Sequence, residues 1–179
     1  MKTKLLFITL FLAICFSVSA QVDTFQKNIE TYLVSNGTSK QYAQVHDDMF
    51  TMLKKQFSSV KVPENLWTEL SKNKTEDVGS ILRLLNSVYR KHFTEEEIIE
   101  MTAFYQTEVG KLLVSDPGQL TDDQKREVNT FYQKPIGQRI GETREELSKD
   151  VSQASEMWSR ELYMGVVEKL SDKGYHPRN

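Results

Sequence analysis

Residues 94–113, TEEEIIEMTAFYQTEVGKLL, lie without a gap over residues 121–140, TDDQKREVNTFYQKPIGQRI, and the reading of this pair decides the fold. Identical positions include Thr94/Thr121, Phe104/Phe131, Tyr105/Tyr132, Gln106/Gln133 and Gly110/Gly137. Each copy opens as a capping box, in which the Thr hydroxyl accepts from the backbone three residues on while Glu97 or Gln124 reaches back to the cap. The acids that follow each Thr favour the positive end of a helix dipole. At about 100° per residue, Ile98, Met101, Tyr105, Val109 and Leu112 form one stripe, with Phe104 on its flank. Gly110 falls about 140° from Tyr105, beside Ala103 on the opposite face, and Thr130 and Gly137 hold the equivalent places in the second copy. Each helix is therefore expected to pack one neighbour on its aromatic stripe and another against its small face. Pro135 alone departs from this scheme, and a kink or restart is predicted there. Two copies are too few for a solenoid.

Outward from the pair, the rest of the chain also reads as helix. Phe25, Ile29, Tyr32 and Leu33 recur at helical spacing up to Asn36-Gly37, which suits a helix end. Ser39 can cap a second helix bearing Tyr42, Val45, Met49, Leu53 and Phe57, and the two are predicted to form an antiparallel hairpin over residues 21–60. Pro63 opens a short stretch with Leu66, Trp67 and Leu70, the polar run Ser71–Thr75 marks a break, and Val78, Ile81, Leu82, Leu85, Val88 and Tyr89 carry a fourth helix. The last helix is predicted to be long, with Leu147, Val151, Ala154, Trp158, Leu162, Gly165, Val166 and Leu170 on one stripe and Lys173-Gly174 at its end. The fold class is all-α: a bundle of about five to seven helices, with Trp67, Tyr105, Tyr132 and Trp158 largely buried. Eight Gly and four Pro in 179 residues are too few for the turns of a sandwich or barrel.

The segments Phe104-Tyr105-Gln106-Thr107-Glu108-Val109-Gly110-Lys111 and Phe131-Tyr132-Gln133-Lys134-Pro135-Ile136-Gly137-Gln138-Arg139, behind His92-Phe93-Thr94-Glu95-Glu96-Glu97, resemble the exported bacterial family called domain of unknown function 2059. The resemblance covers about residues 78–170, including Trp158, within a core read as residues 78–172. It implies a helical bundle behind a signal peptide, and it implies no activity. The family's usual motif is FY, one residue, Ser-Pro, one residue, then Gly-Gln-Lys. The first copy has Thr107 for the Ser and lacks the Pro, whereas the second has Pro135 but puts Lys134 at the Ser position.

At the amino end, Lys2 and Lys4 precede an apolar run from Leu5 to about Val18 that closes on Ser17-Val18-Ser19-Ala20. This is the order of a signal peptide, with cleavage expected after Ala20 and residues 21–179 left as one helical domain. The run is shorter than a membrane span, and Ile14 before Cys15 disfavours a lipoprotein. Removing residues 1–20 takes two of the 23 basic residues and none of the 25 acidic ones, so the mature net charge is −4. A mildly acidic chain is a poor nucleic-acid binder. Cys15 is the only cysteine, so neither a disulfide framework nor a thiolate metal site is expected after cleavage. Asn36-Gly37-Thr38 and Asn73-Lys74-Thr75 match the glycosylation acceptor tripeptide, a pattern short enough to recur by chance.

No catalytic constellation is apparent: no GxSxG elbow, phosphate loop or HExxH. His46-Asp47-Asp48 and His92 with Glu95 are the only His/acid groupings; adjacent helical residues diverge, and His92 before a cap is expected to face solvent. No catalytic, metal or cofactor residue is assigned and no cofactor is implied. The signature positions Phe104, Tyr105, Gln106, Gly110, Phe131, Tyr132, Gln133, Gly137 and Trp158 are read as packing. The expected role is non-enzymatic, an interaction or structural module of the cell envelope that binds itself or an unknown protein partner. The alternative is a carrier in which Tyr105, Tyr132, Met101, Met157 and Trp158 line a cleft for an apolar small molecule.

Overall fold

The computed structural model describes residues 23–177, and among them helices alternate with short links and no strand occurs. The signal-peptide reading of residues 1–20, Cys15 included, lies outside the described residues. The elements are α1 (Thr24–Ser35), α2 (Thr38–Gln56), α3 (Glu64–Ser71), α4 (Lys74–His92), α5 (Glu95–Gln106), α6 (Glu108–Ser115), α7 (Asp122–Gln133) and α8 (Pro135–Asp172). This is the predicted all-α bundle with a long carboxy-terminal helix. None of the described helices is long and apolar enough to cross a membrane.

Both capping boxes form: Thr94 Oγ1 accepts from the Glu97 amide at 3.3 Å while Glu97 accepts from the Thr94 amide at 2.8 Å, and Thr121 and Gln124 repeat this at 3.3 and 2.9 Å. Gly174, in the left-handed region at φ +84°, ends α8 in a Schellman motif, with Gly174 N donating to Ser171 O and Tyr175 N to Leu170 O. Gly37 at φ +83° makes the link between α1 and α2.

That link does not fold the chain back on itself. Asp23 pairs with Arg90 and the Gln26 carbonyl with Asn86, whereas His46 meets Asp77 and Asp47 meets Lys74. The partners thus descend along α4, so α1 and α2 follow one another toward its amino end, and the antiparallel hairpin predicted over residues 21–60 is corrected to a bent track. Helix α1 has its apolar face on α4 and α5, which fixes its course before Gly37 is reached.

Two apolar clusters hold the bundle. The first joins Ile29 and Leu33, Ile81 and Leu85, Ile98 and Met101, with Trp158 of α8 against them. The second joins Leu53 and Phe57 to Trp67 and Leu70, closed by Val166 and Leu170. Helix α8, 38 residues and therefore about 57 Å long, serves both. Truncating Trp158 or Trp67 is expected to cost ~3–5 kcal/mol.

Candidate functional site

The FYQ segments are helix breaks. After Gln106 the chain leaves helical geometry at Thr107 (φ −67°, ψ 163°) and restarts as α6; after Gln133 it does the same at Lys134 (φ −68°, ψ 164°) and restarts as α8. In each, the cap amide donates to the carbonyl of the signature Phe, at 3.0 and 3.1 Å. Gly110 and Gly137 occupy the third position of the new helix, where its first turn folds against the last turn of the old one. A Cβ on Gly110 would run into the Phe104 carbonyl and lie 2.6 Å from Tyr105 Cα; one on Gly137 would strike the Tyr132 carbonyl and Cα. The small-face reading of these glycines is therefore corrected: they admit the chain's own backbone at the break, not a neighbouring helix.

The two breaks face one another through equivalent residues. Phe104 and Phe131 are buried and stacked at a centroid distance of 3.9 Å and 6°, and the Tyr105 and Tyr132 hydroxyls are 3.4 Å apart. A cleft of about 300 Å³ beside the stack is lined by four equivalent pairs: Glu100/Glu127, Ala103/Thr130, Phe104/Phe131 and Thr107/Lys134. Of the predicted buried tyrosines, Tyr105 is half-buried against Tyr32, whereas Tyr132 is 39% exposed, because α7 is polar and buries Phe131 alone. Burial first, then the hydroxyl of Tyr132, raises Tyr105 above the usual phenol range; burial also raises Tyr32 and pushes Tyr89 up to about 12. Gln106 and Gln133 end their helices facing solvent.

The carrier residues line no common cleft among the described residues. Met101 is fully buried in the first cluster, Trp158 donates from its indole to the Asp77 carbonyl at 2.9 Å, and Met157 points outward at 44% exposure.

Both buried histidines tie helices together. His46 on α2, wholly buried beside Phe50, lies 3.2 Å from the Asp77 carboxylate of α4. His92, expected at the surface, is buried because Asp150 of α8 meets it at 2.7 Å and Arg139 donates to its carbonyl. Lys91, then His92, holds the Asp150 carboxyl below the usual range, and a hydrogen bond from Lys74 does the same for Asp47. Neither histidine lines a cleft described here, and no group of three or more His, Cys, Asp or Glu among the described residues is placed to hold a metal ion.

The apolar recess of the molecule is elsewhere. Helices α2 and α8 both pack on α4 but scarcely on each other. Hydrogen bonds pin them at two points, Tyr42 to Ser155 at 2.5 Å and Gln56 to Tyr163 at 3.0 Å. Between these lies an open groove of about 520 Å³, with Val45, Met49, Met52 and Tyr163 as its apolar lining and Asp48, Glu156 and Arg160 at its rim. Met52 is 51% exposed and Val45 37%. Arg160 pairs with Glu156 on its own helix at 2.5 Å, while Asp48 accepts only from Gln44 and has no ion pair among the described residues. Sequence reading put Val45 and Met49 on the apolar face of α2; Met49 is buried in the second cluster, whereas Val45 lies open in the groove. The missed signal was Met52, which with Tyr42, Val45, Met49 and Leu53 widens the apolar arc of α2 beyond what one neighbour covers.

No curated protein and no solved structure matches the chain. A family does: residues 80–123, from α4 through the first FYQ break to the start of α7 and short of Phe131 and Trp158, match the family described as "Uncharacterized protein conserved in bacteria (DUF2059)", the one the sequence resembles.

Proposed function

We propose that the chain is an exported, non-enzymatic interaction module whose docking face is the groove between α2 and α8. The observation that carries this reading is the groove itself: an apolar floor, open to solvent along two helical turns, in a bundle whose two interior clusters are filled by side chains. Its form suits an amphipathic helix laid into it with apolar side chains at i and i+7, and the unpaired Asp48 suits a basic residue beside them. Export is supported by the order of charged, apolar and small residues at the amino end. A non-catalytic role is supported by the use of His46 and His92 as ties between helices.

The test is calorimetric titration with an amphipathic Leu/Lys peptide that forms a helix. The wild-type chain is expected to bind it, and Met52→Glu to weaken binding about tenfold or more. Equal binding by both proteins, or none by either, refutes the groove as the docking face. The volume of the groove, within the ~300–1,000 Å³ of small-molecule sites, favours a carrier of an apolar ligand as the second reading. Native mass spectrometry of protein from its own host would then find a bound small molecule that is lost in Met52→Glu.

A further inference from the structure

We infer that the occupant of this groove is α8 of a second copy of the chain, in a two-fold dimer; the inference rests on the docking reading above. Each wall presents residues at i, i+3, i+4 and i+7, from Val45 to Met52 on α2 and from Glu156 to Tyr163 on α8. Seven residues of helix rise about 10 Å, and a ridge that fills such a seam carries two apolar side chains seven apart. The outer face of α8 carries that ridge. Met157 and Met164 are seven residues apart, 44% and 60% exposed, and project within about 20° of one another. Both are unbranched and adapt to an irregular floor.

The charges match as well. Arg160 lies three residues after Met157 and four before Met164, on the same side of the helix, so it travels with the ridge. Asp48, midway between Val45 and Met52, is the rim carboxylate with no cation among the described residues. Arg160 is held now only by an exposed pair with Glu156 on its own helix, a tie worth little and easily exchanged. With the two copies antiparallel about a two-fold axis, the ridge of each enters the groove of the other and the Arg160 to Asp48 contact is made twice. Ridge and groove thus occur on one chain with matching length, apolar spacing and charge, which a second copy satisfies without any further partner.

Sedimentation velocity and native mass spectrometry of the full chain over a range of concentrations test this. The expected result is a dimer that dissociates on dilution and that Met52→Glu and Met164→Glu each weaken about tenfold or more. All these side chains are exposed, so thermal melts recorded at dilutions where the wild type is itself monomeric should give the variants the same stability as the wild type. Asp48→Arg and Arg160→Asp should each weaken the dimer, and the two together should restore it. A dimer indifferent to both methionine variants, or a double charge variant as weak as the singles, overturns the inference. So does a chain that stays monomeric throughout. If that monomer still binds the Leu/Lys peptide through Met52, only the second copy is excluded; if it binds no peptide, the docking reading falls with it.

Discussion

The break at Thr107 and the break at Lys134 have the same backbone course and different chemistry. Thr107 caps its new helix with a side chain: its hydroxyl donates to the Phe104 carbonyl at 2.7 Å and accepts from the Gly110 amide at 3.0 Å. Lys134 makes no such bond; instead Pro135 fills the first helical position, where its fixed φ suits the restart and its missing N–H has no partner to lose. A glycine pressed against the preceding turn is common to both. The comparison separates what the geometry demands, a residue without Cβ at the third position, from what merely assists it. The surroundings differ too: α5 buries Ile98, Met101, Thr102 and Phe104, while α7 buries Phe131 alone.

The largest effect should come from the shared stack. Phe104→Ala removes a buried ring and is expected to cost ~3–5 kcal/mol in a denaturant melt, with loss of one cooperative transition. Phe131→Ala should cost less, because α7 can detach while the remaining helices stay folded. Equal costs would mean that the two breaks are energetically equivalent despite their different burial.

Gly110→Ala and Gly137→Ala come next. Each Cβ meets backbone that cannot give way, so both should destabilise at the upper end of the ~1–3 kcal/mol of overpacking, against a helix-propensity gain of ~1 kcal/mol. Either variant melting at or above the wild type would remove the close-approach account of the motif.

The caps should then differ in sign. Thr107→Ala loses a side-chain cap and should cost ~1 kcal/mol, whereas Lys134→Thr gains one and should stabilise by a few tenths to ~1 kcal/mol. No change in stability from either substitution would mean that the glycine alone fixes the break.

The smallest effect is on pH dependence. The pKa values of Tyr32, Tyr89 and Tyr105 are raised on folding, Tyr89 to about 12. The stability they contribute is therefore complete below the ordinary phenol pKa of ~10 and is lost as pH rises through the folded values. Absorbance titration should show these three tyrosines ionising late and together with unfolding, and Tyr105→Phe should remove one of them. At the acid end, the lowered Asp47 and Asp150 contribute stability that is present above the ordinary carboxylate pKa and lost as pH falls through the folded values.

Much of this frame was legible in the sequence because its determinants are local. The capping boxes at Thr94 and Thr121, the restart at Pro135 and the stop at Gly174 each depend on residues within a few positions. The break at Thr107 was hidden because the stripe from Ile98 to Leu112 keeps helical period across it and no proline marks it. Thr107 followed three residues on by Gly110 was the available sign. The burial of His92 depends on Asp150, 58 residues away, and that of His46 on Asp77, 31 residues away, so no local pattern announces either. The groove was less legible still. It exists because α2 and α8 lie side by side on α4 without closing on each other, and only the excess apolar width of α2 hints at it.

Two recesses therefore compete as the working surface: the cleft made by equivalent residues of the two breaks, and the groove between α2 and α8. Amide NMR spectra of the labelled protein, recorded as its concentration is raised and again as the Leu/Lys peptide is added, discriminate them directly. Shifts confined to Val45–Met52 and Glu156–Met164 are the predicted result. Shifts gathered at Glu100, Thr107, Glu127 and Lys134, with α2 unmoved, would contradict it and make the FYQ breaks the binding site.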